Sequence, residues 1–286
     1  MGTQPALETL LASIPAPRAR LRQAETAPAP QAAPSRLDVL GHFDQVFAEA
    51  PATEPEEIAE AFRLRYQVYC LDRGYESADS CLGGMEKDFY DEYALHSILR
   101  EQTSEAVLGT VRLVLPPAGP TWFAGMPLAD YAPLEAIEAI KRLPRGTTAE
   151  VSRFAITRSA REILKDSRSG SGYLSAIDES GTTVGEKLLP YMSLGLIRGL
   201  VRLSMLHGVT HWCLAAEPSL LRRLRSYGLH FQNAGPLVEH RGLRQVCYAE
   251  LEELLDQAAD ERPEFWNILT DGGALSCAPR QSLSAA

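Results

Sequence analysis

The sequence has few of the features that mark a nucleic-acid-binding, secreted or membrane protein. Its 37 acidic residues outnumber its 28 lysines and arginines, whereas a nucleic-acid-binding protein usually carries a basic footprint. The longest apolar stretch, residues 188–206, is interrupted by Arg198 and Arg202, so we expect a buried helix and no membrane span. Residues 1–20 lack a basic start followed by a long apolar run. We therefore expect no signal peptide and a cytoplasmic location.

The cysteines do not form a metal-binding or disulfide pattern. None lies in a C-x-x-C pair and their number, five, is odd, so we expect free thiols and no structural zinc. Three histidines, His96, His207 and His211, are too scattered for a metal triad. An acyl-cysteine route through Cys213 is an alternative, although no histidine partner is evident in the sequence.

Composition along the chain predicts one folded domain between two tails. Residues 1–54 are rich in Ala and Pro and predict a largely disordered tail. Residues 55–270 predict a single α/β domain, and residues 271–286 a flexible tail. The Ser- and Gly-rich stretch 165–186 predicts a loop or lid.

Apolar periodicity within the domain predicts alternating helices and strands. The order fits one mixed sheet with helices on both faces. We expect helices over 56–70, 133–142, 190–207, 218–227 and 251–259, and strands over 94–100, 107–115, 148–157, 211–216, near 238 and over 245–250.

Four short segments contain polar residues suited to catalysis. They are RYQVYCLDRGYE (65–76), GMEKDFYDEYALH (84–96), GTVRLVLP (109–116) and EVSRF (150–154). Their order and spacing resemble the acyl-homoserine-lactone synthase family, a branch of the GNAT acyltransferases. The resemblance covers roughly residues 57–160 and implies a GNAT-like fold.

The resemblance can be followed residue by residue. The family's early helix carries an Arg, an aromatic residue four positions on and a Trp six positions later, which here are Arg65, Tyr69 and Tyr75. The D-x-Y-D element is residues 88–91, and the strand arginine is Arg112. Helical tyrosines more often pack than bind substrate, and Tyr75 is the preferred contact of the two. The resemblance implies catalytic roles for Glu150 and Arg153, and substrate binding by Arg65, Tyr69, Tyr75, Asp88, Asp91, Arg112, Ser152 and Phe154.

The C-terminal third resembles a longer group of relatives. HGVTHWC (207–213), GPLVEHRGLRQVCYAEL (235–251) and RPEFWNILT (262–270) look like the PEP-CTERM/exosortase-associated acyltransferases, grouped with N-acyl amino acid synthases. This implies transfer of a fatty acyl group from an acyl carrier protein or CoA thioester, a co-substrate and not a tightly bound cofactor, to the amine of an amino acid or related metabolite. One alternative is an autoinducer synthase using S-adenosylmethionine. Another is a non-catalytic GNAT domain that binds an acyl carrier or lipid.

Glu150 is the predicted general base. An amine is mostly protonated near neutral pH, and a carboxylate can accept that proton directly or through a water. The alternative is an exposed glutamate at a strand edge. Strand alternation puts Glu150 and Arg153 on opposite faces, so a site that contains both needs a β-bulge. The GNAT resemblance implies such a bulge, where the sheet splays to admit a pantetheine arm.

Asp88 and Asp91 precede a predicted strand and can pair with three arginines, Arg65, Arg112 and Arg153. Buried charges persist only when paired, so the set predicts a polar wall on the amine side. The aspartates would meet an ammonium, and Arg65 or Arg112 a carboxylate. The alternative is a solvated turn and unrelated surface arginines.

Acyl carrier protein is acidic, so an acidic enzyme needs a local basic surface to dock it. The stretch SGSG (169–172) lacks the compact Arg/Gln-x-x-Gly-x-Gly/Ala turn of CoA-using relatives, which favours a carrier protein. The predicted docking residues are Arg198, Arg202, Arg222, Arg223 and Arg225. The alternative is that these arginines only form solvated helix faces.

Overall fold

A mixed β-sheet of seven strands forms the centre of the computed structural model, which describes residues 40–115, 117, 119–166, 182 and 184–275. The strands are β1 (Phe47–Ala52), β2 (Ala94–Glu101), β3 (Val107–Val114), β4 (Thr148–Ile156), β5 (His211–Ala216), β6 (Gln232–Glu239) and β7 (Leu243–Glu250). Their spatial order is β1-β2-β3-β4-β5-β7-β6, with β4 and β5 parallel and the other neighbours antiparallel. The predicted α/β fold with a mixed sheet is confirmed.

Helices cover both faces of this sheet. They are α1 (Phe43–Val46), α2 (Pro55–Arg65), α3 (Leu134–Ile140), α4 (Ala160–Asp166), α5 (Val184–Leu188), α6 (Met192–His207), α7 (Pro218–Ser226), α8 (Leu251–Glu261) and α9 (Pro263–Leu269). Helix α6 packs in the main core with Leu113, Val151 and Trp212. Helices α2 and α3 pack against the opposite face, which we call the α2 face. There α2 packs with Ile98, and α3 packs with Cys213.

Helix α6 is the buried helix that the apolar stretch predicts. Most of its side chains are buried. It ends at Gly208, whose φ of 66° is the left-handed conformation that glycine adopts without steric cost. No helix in the described ranges is both long and apolar enough to cross a membrane.

The folded part starts earlier and ends later than the predicted boundaries at 55 and 270. Phe43 and Phe47 are buried in the main core, and β1 pairs with β2 along its length. Pro51 argues against predicting a strand in this part of the sequence, but proline is tolerated there because β1 is an edge strand. Helix α9 was not predicted, and Leu275 is buried beyond it.

Several predictions concern residues outside the described ranges. The tail prediction for residues 1–39, most of the 165–186 loop and residues 276–286 fall there. The four cysteines within the described ranges are free thiols, as predicted. Two of them are adjacent, since the sulfurs of Cys70 and Cys81 lie 3.5 Å apart.

Candidate active site

A β-bulge in β4 brings the predicted catalytic residues to one side of the sheet. The register between β3 and β4 shifts by one residue between Thr110 and Arg112. Arg153 lies in this shift with a φ of 51°, a conformation that is uncommon for a residue other than glycine. Because a bulge re-aims the side chains of its strand, Arg153 reaches the same polar cluster as Arg112. The predicted bulge is confirmed.

Strands β4 and β5 separate after Glu150, three residues before the bulged Arg153. They pair only from Thr148 to Glu150 against His211 to Cys213, although both strands continue further. A cavity of about 450 Å³ lies in this gap and passes between the two faces of the sheet. Its polar wall includes Tyr69, Tyr75, Tyr131, Glu150, Ser152, Arg153, His240 and Arg244, and its apolar wall Met192, Ile197, Leu200, Trp212, Leu214, Leu220, Leu224, Leu229 and Phe231.

Glu150 lies at the point where the strands separate. Its side chain lines the cavity, yet the residue is only 1% exposed. The backbone N–H of Leu128 donates to Oε2 at 2.9 Å. Burial raises the pKa of Glu150 to about 8, against the opposing effects of this hydrogen bond and of nearby Arg112 and Arg153. The alternative of an exposed strand-edge glutamate is therefore wrong, and the buried carboxyl can exchange a proton near neutral pH.

Arg65 anchors an ion network next to the cavity. Its Nε donates to Glu86 at 2.6 Å, and its two terminal nitrogens donate to Asp91 at 2.7 and 2.9 Å. Arg112 donates to Ser152, Asp88 and Asp91 at 3.0, 2.6 and 2.8 Å. The predicted cluster of arginines and aspartates exists, and the alternative of unrelated surface charges is wrong.

Arg153 joins this network to the cavity wall. Its Nη2 donates to Glu86 and Asp88, both at 2.9 Å, and to Glu76 at 3.4 Å. Glu76 in turn accepts from Arg241 at the tip of the β6–β7 hairpin, at 2.8 Å. The bulged strand is thereby tied to the distant hairpin.

The charges of this network stabilise one another. Burial opposes ionisation of Glu86 and Asp91, but the neighbouring arginines outweigh burial and hold the pKa of both carboxyls below the ordinary value. Beside Asp91, burial and then the charge of Arg65 lower the pKa of His96 to about 4. His96 is therefore neutral at physiological pH.

The structure divides the ten predicted catalytic and substrate-binding residues into two groups. Six predicted residues line the cavity: Tyr69, Tyr75, Glu150, Ser152, Arg153 and Phe154. The other four, Arg65, Asp88, Asp91 and Arg112, belong to the network beside it. Arg65 and Arg112 have fully buried side chains bonded to protein carboxylates, so their predicted pairing with a substrate carboxylate is corrected.

Sequence reasoning missed several residues of the site. Glu86 bridges Arg65 and Arg153 and is found only two positions before the recognised Asp88. Tyr131 and His240 stack with their ring centroids 3.7 Å apart and line the cavity near Glu150. No local pattern marks that pair, because its members lie on segments far apart in the chain.

The predicted docking arginines also divide. Arg198 is only 4% exposed and pairs with Asp44 and Glu49, so the docking prediction for this residue is wrong. Arg202 also pairs with Glu49, which reduces the positive charge that it presents. Helix α7 presents exposed side chains of Arg222, Arg223 and Arg225.

Cys213 is not placed to act as a nucleophile. It is fully buried, and its Sγ lies 3.6 Å from both Met126 Sδ and the Ala149 carbonyl oxygen. Burial raises the pKa of this thiol well above its ordinary value, whereas the reactive form is the thiolate. Across the described residues, no group of three or more potential ligands is arranged to hold a metal.

Two observations indicate the class of this domain. One is the cavity between splayed parallel strands, next to a β-bulge and a buried carboxyl, and the other is a match of its sequence to a family model. Residues 64–164, roughly a third of the chain, match the family model described as an acetyltransferase (GNAT) domain. The predicted GNAT-type domain and its acyltransferase class are thereby confirmed. No curated protein sequence matches the chain.

Several solved structures are similar to the chain. The AHL synthase LasI is 19% identical, with 71% of this chain and 88% of LasI covered and a TM-score of 0.48. TofI, in a ternary complex with an inhibitor and MTA, is 20% identical, with 77% and 99% covered and a TM-score of 0.49. FeeM, an N-acyl amino acid synthase from uncultured soil microbes, is 16% identical, with 74% and 94% covered and a TM-score of 0.47.

Proposed function

We propose that the protein is an N-acyltransferase that moves a fatty acyl group from a carrier thioester to the amine of an amino acid or related metabolite, giving an N-acyl amino acid. The observation that carries the proposal is the cavity between β4 and β5. It joins an apolar channel to a buried carboxyl of raised pKa. The apolar channel matches the acyl chain, and the part of the cavity next to the buried carboxyl matches the thioester and the amine.

The apolar wall suits a fatty acyl chain. Met192, Leu200, Leu214 and Leu224 lie there. Burial of each methylene of a chain contributes about 0.8 kcal/mol, so a medium or long chain gains enough to bind here. A short acetyl group would leave most of the channel unfilled.

Glu150 supplies the base. Its carboxylate form accepts a proton from the ammonium or from the attacking amine, and the neutral nitrogen attacks the thioester carbonyl. The C–N bond forms and the C–S bond breaks. The nitrogen gives up its second excess proton, and the departing carrier thiolate takes up that proton directly or through a water. A pKa of about 8 suits this role because a general base works best when its pKa is near the operating pH.

The bulge supports the carbonyl during this step. The register between β3 and β4 passes over Arg153 and Phe154, and we assign stabilisation of the developing oxyanion to a backbone N–H of this bulge. Hydrogen-bond donors placed where negative charge develops are among the largest contributors to catalysis. The network of Arg153, Glu86 and Asp88 holds the bulge in its left-handed conformation.

An acyl carrier protein is the donor that the surface favours. The exposed arginines of α7, Arg222, Arg223 and Arg225, offer a basic patch on a chain of net charge −9. Arg223 also lines the cavity, so the patch lies at one of its openings. A carrier docked there would deliver its pantetheine arm over a short path.

Incubation with acyl carrier thioesters and pooled amino acids, followed by mass spectrometry, tests the function. We expect an N-acyl amino acid with the wild type and at most a trace with Glu150→Gln. A parallel reaction with S-adenosylmethionine tests the alternative autoinducer synthase, whose product would be an acyl-homoserine lactone. Tight thioester binding without any product would support the non-catalytic alternative and refute the proposal.

A further inference from the structure

Three hydrogen-bond donors converge on one carboxylate oxygen at the edge of the cavity. Glu217 Oε1 lies 3.5 Å from Arg73 Nη1, 3.5 Å from Tyr75 Oη and 3.3 Å from Arg244 Nη1. All four side chains line the cavity. Charge-assisted hydrogen bonds are usually about 2.7–2.9 Å long, so these donors surround the carboxylate without closing on it.

The donors are held in place independently of Glu217. Both guanidinium groups lie over the ring of Tyr75, with that of Arg73 at 5.6 Å and that of Arg244 at 5.8 Å from its centroid. Arg244 also donates to the carbonyl oxygen of Arg241 at 2.8 Å. Because the ring and the backbone fix the two cations, they stay close together despite their mutual repulsion.

This group faces the same side of the sheet as the base. Strand register places Glu150 beside Cys213, and Cys213 beside Tyr248. Alternation along β7 then puts Arg244, four residues before Tyr248, on the α2 face with Glu150. Two cations against one carboxylate leave this edge of the cavity with an excess of positive charge.

We propose that Arg73, Tyr75 and Arg244 bind an anionic oxygen group of a substrate, and that Glu217 occupies this site when no substrate is bound. The inference rests on the proposed acyltransferase function. The anion is either the carboxylate of the amine acceptor or the phosphate of the donor's pantetheine arm. On binding, it takes the donors at normal hydrogen-bond lengths. Glu217, whose side chain is 37% exposed, then turns to solvent.

Calorimetry with two pairs of probes tests the site and distinguishes the sources. The acceptor pair is N-dodecanoylglycine and N-methyldodecanamide, which differ by the carboxylate. The donor pair is S-dodecanoyl-4′-phosphopantetheine and S-dodecanoylpantetheine, which differ by the phosphate. We expect the wild type to prefer the anionic member of one pair by ~10–100-fold, the range of hydrogen bonds to charged groups.

Substitutions on the two sides of the site should act in opposite directions. Arg244→Gln and Arg73→Gln should remove the preference, whereas Glu217→Gln should increase affinity for the same anionic probe. Arg73 is about half exposed, so its variant tests the site with little risk to folding. Arg63→Gln, on an exposed arginine paired with Glu56, is the matched control and should change nothing.

Two results would overturn the inference. One is an absence of anion preference in both probe pairs with the wild type. The other is weaker binding of the preferred anion by Glu217→Gln, which would make Glu217 a direct ligand of the substrate. Neither requires turnover, so failure of the acyltransferase proposal would appear separately, as an absence of N-acyl product in the mass-spectrometric assay.

Discussion

Replacement of Glu150 by glutamine should change how the stability of the protein depends on pH. Glutamine keeps the size of the side chain and an oxygen that can accept the N–H of Leu128, but it does not titrate. The carboxyl has a pKa of about 8 in the folded protein against an ordinary value of 4.5. The folded state therefore retains a proton over this range that the unfolded state has released.

The sign of the effect follows from this difference. The contribution of Glu150 to stability is fully present below pH 4.5 and is lost as the pH rises towards 8. At 1.36 kcal/mol per tenfold change, the full loss is on the order of 5 kcal/mol. Wild type should lose this stability relative to Glu150→Gln between pH 5 and about 8, whatever constant offset the glutamine itself introduces.

Urea unfolding at pH values from 5 to 9 measures the difference, with Glu138→Gln, at an exposed position of α3, as the control. The same preparations should show a ~10²–10⁴-fold loss of turnover in Glu150→Gln, since that is the usual effect of removing a general base. Parallel stability curves for the wild type and Glu150→Gln would mean that the buried carboxyl does not hold its proton. The argument for Glu150 as a base tuned by burial would then fail.

Three further changes test other parts of the molecule. Glu86→Gln leaves buried arginines without their shared carboxylate and should cost about 3–5 kcal/mol in the free energy of unfolding by urea; a loss below about 0.5 kcal/mol, typical of surface sites, would contradict this. Leu220→Trp, at the apolar wall, should lower kcat/KM for dodecanoyl more than for hexanoyl thioesters; an equal effect on both would argue against an acyl channel there. Arg222→Glu with Arg225→Glu should raise the KM for acyl carrier protein at low salt but not for acyl-pantetheine, because exposed charges are screened above ~0.1 M salt; an unchanged KM would remove α7 as the docking surface.

Local patterns in the sequence were sufficient for most of the sheet. The strand at 211–216 is observed at its predicted position, and the helix predicted over 190–207 is observed over Met192–His207 and ends at Gly208, because periodicity and a C-terminal glycine are local signals. Strand β1 was not predicted because Pro51 and the charged Glu49 are residue types that are uncommon in strands. Glu49 is buried in ion pairs with arginines of α6, a contact that cannot be read from the segment itself.

The chemistry of the site divides in the same way. The order of amino acids establishes which residue types are present, and its E-x-S-R-F and D-x-Y-D patterns indicate Glu150, Arg153 and two aspartates. The folded chain is needed to show that Glu150 lies buried in the gap between β4 and β5, that Arg65 is bonded to protein carboxylates, and that Arg244 borders the same cavity. The physical reason is that burial, pairing and pKa depend on groups that are distant in the chain. A local pattern records which side chains are available, whereas folding determines which of them meet.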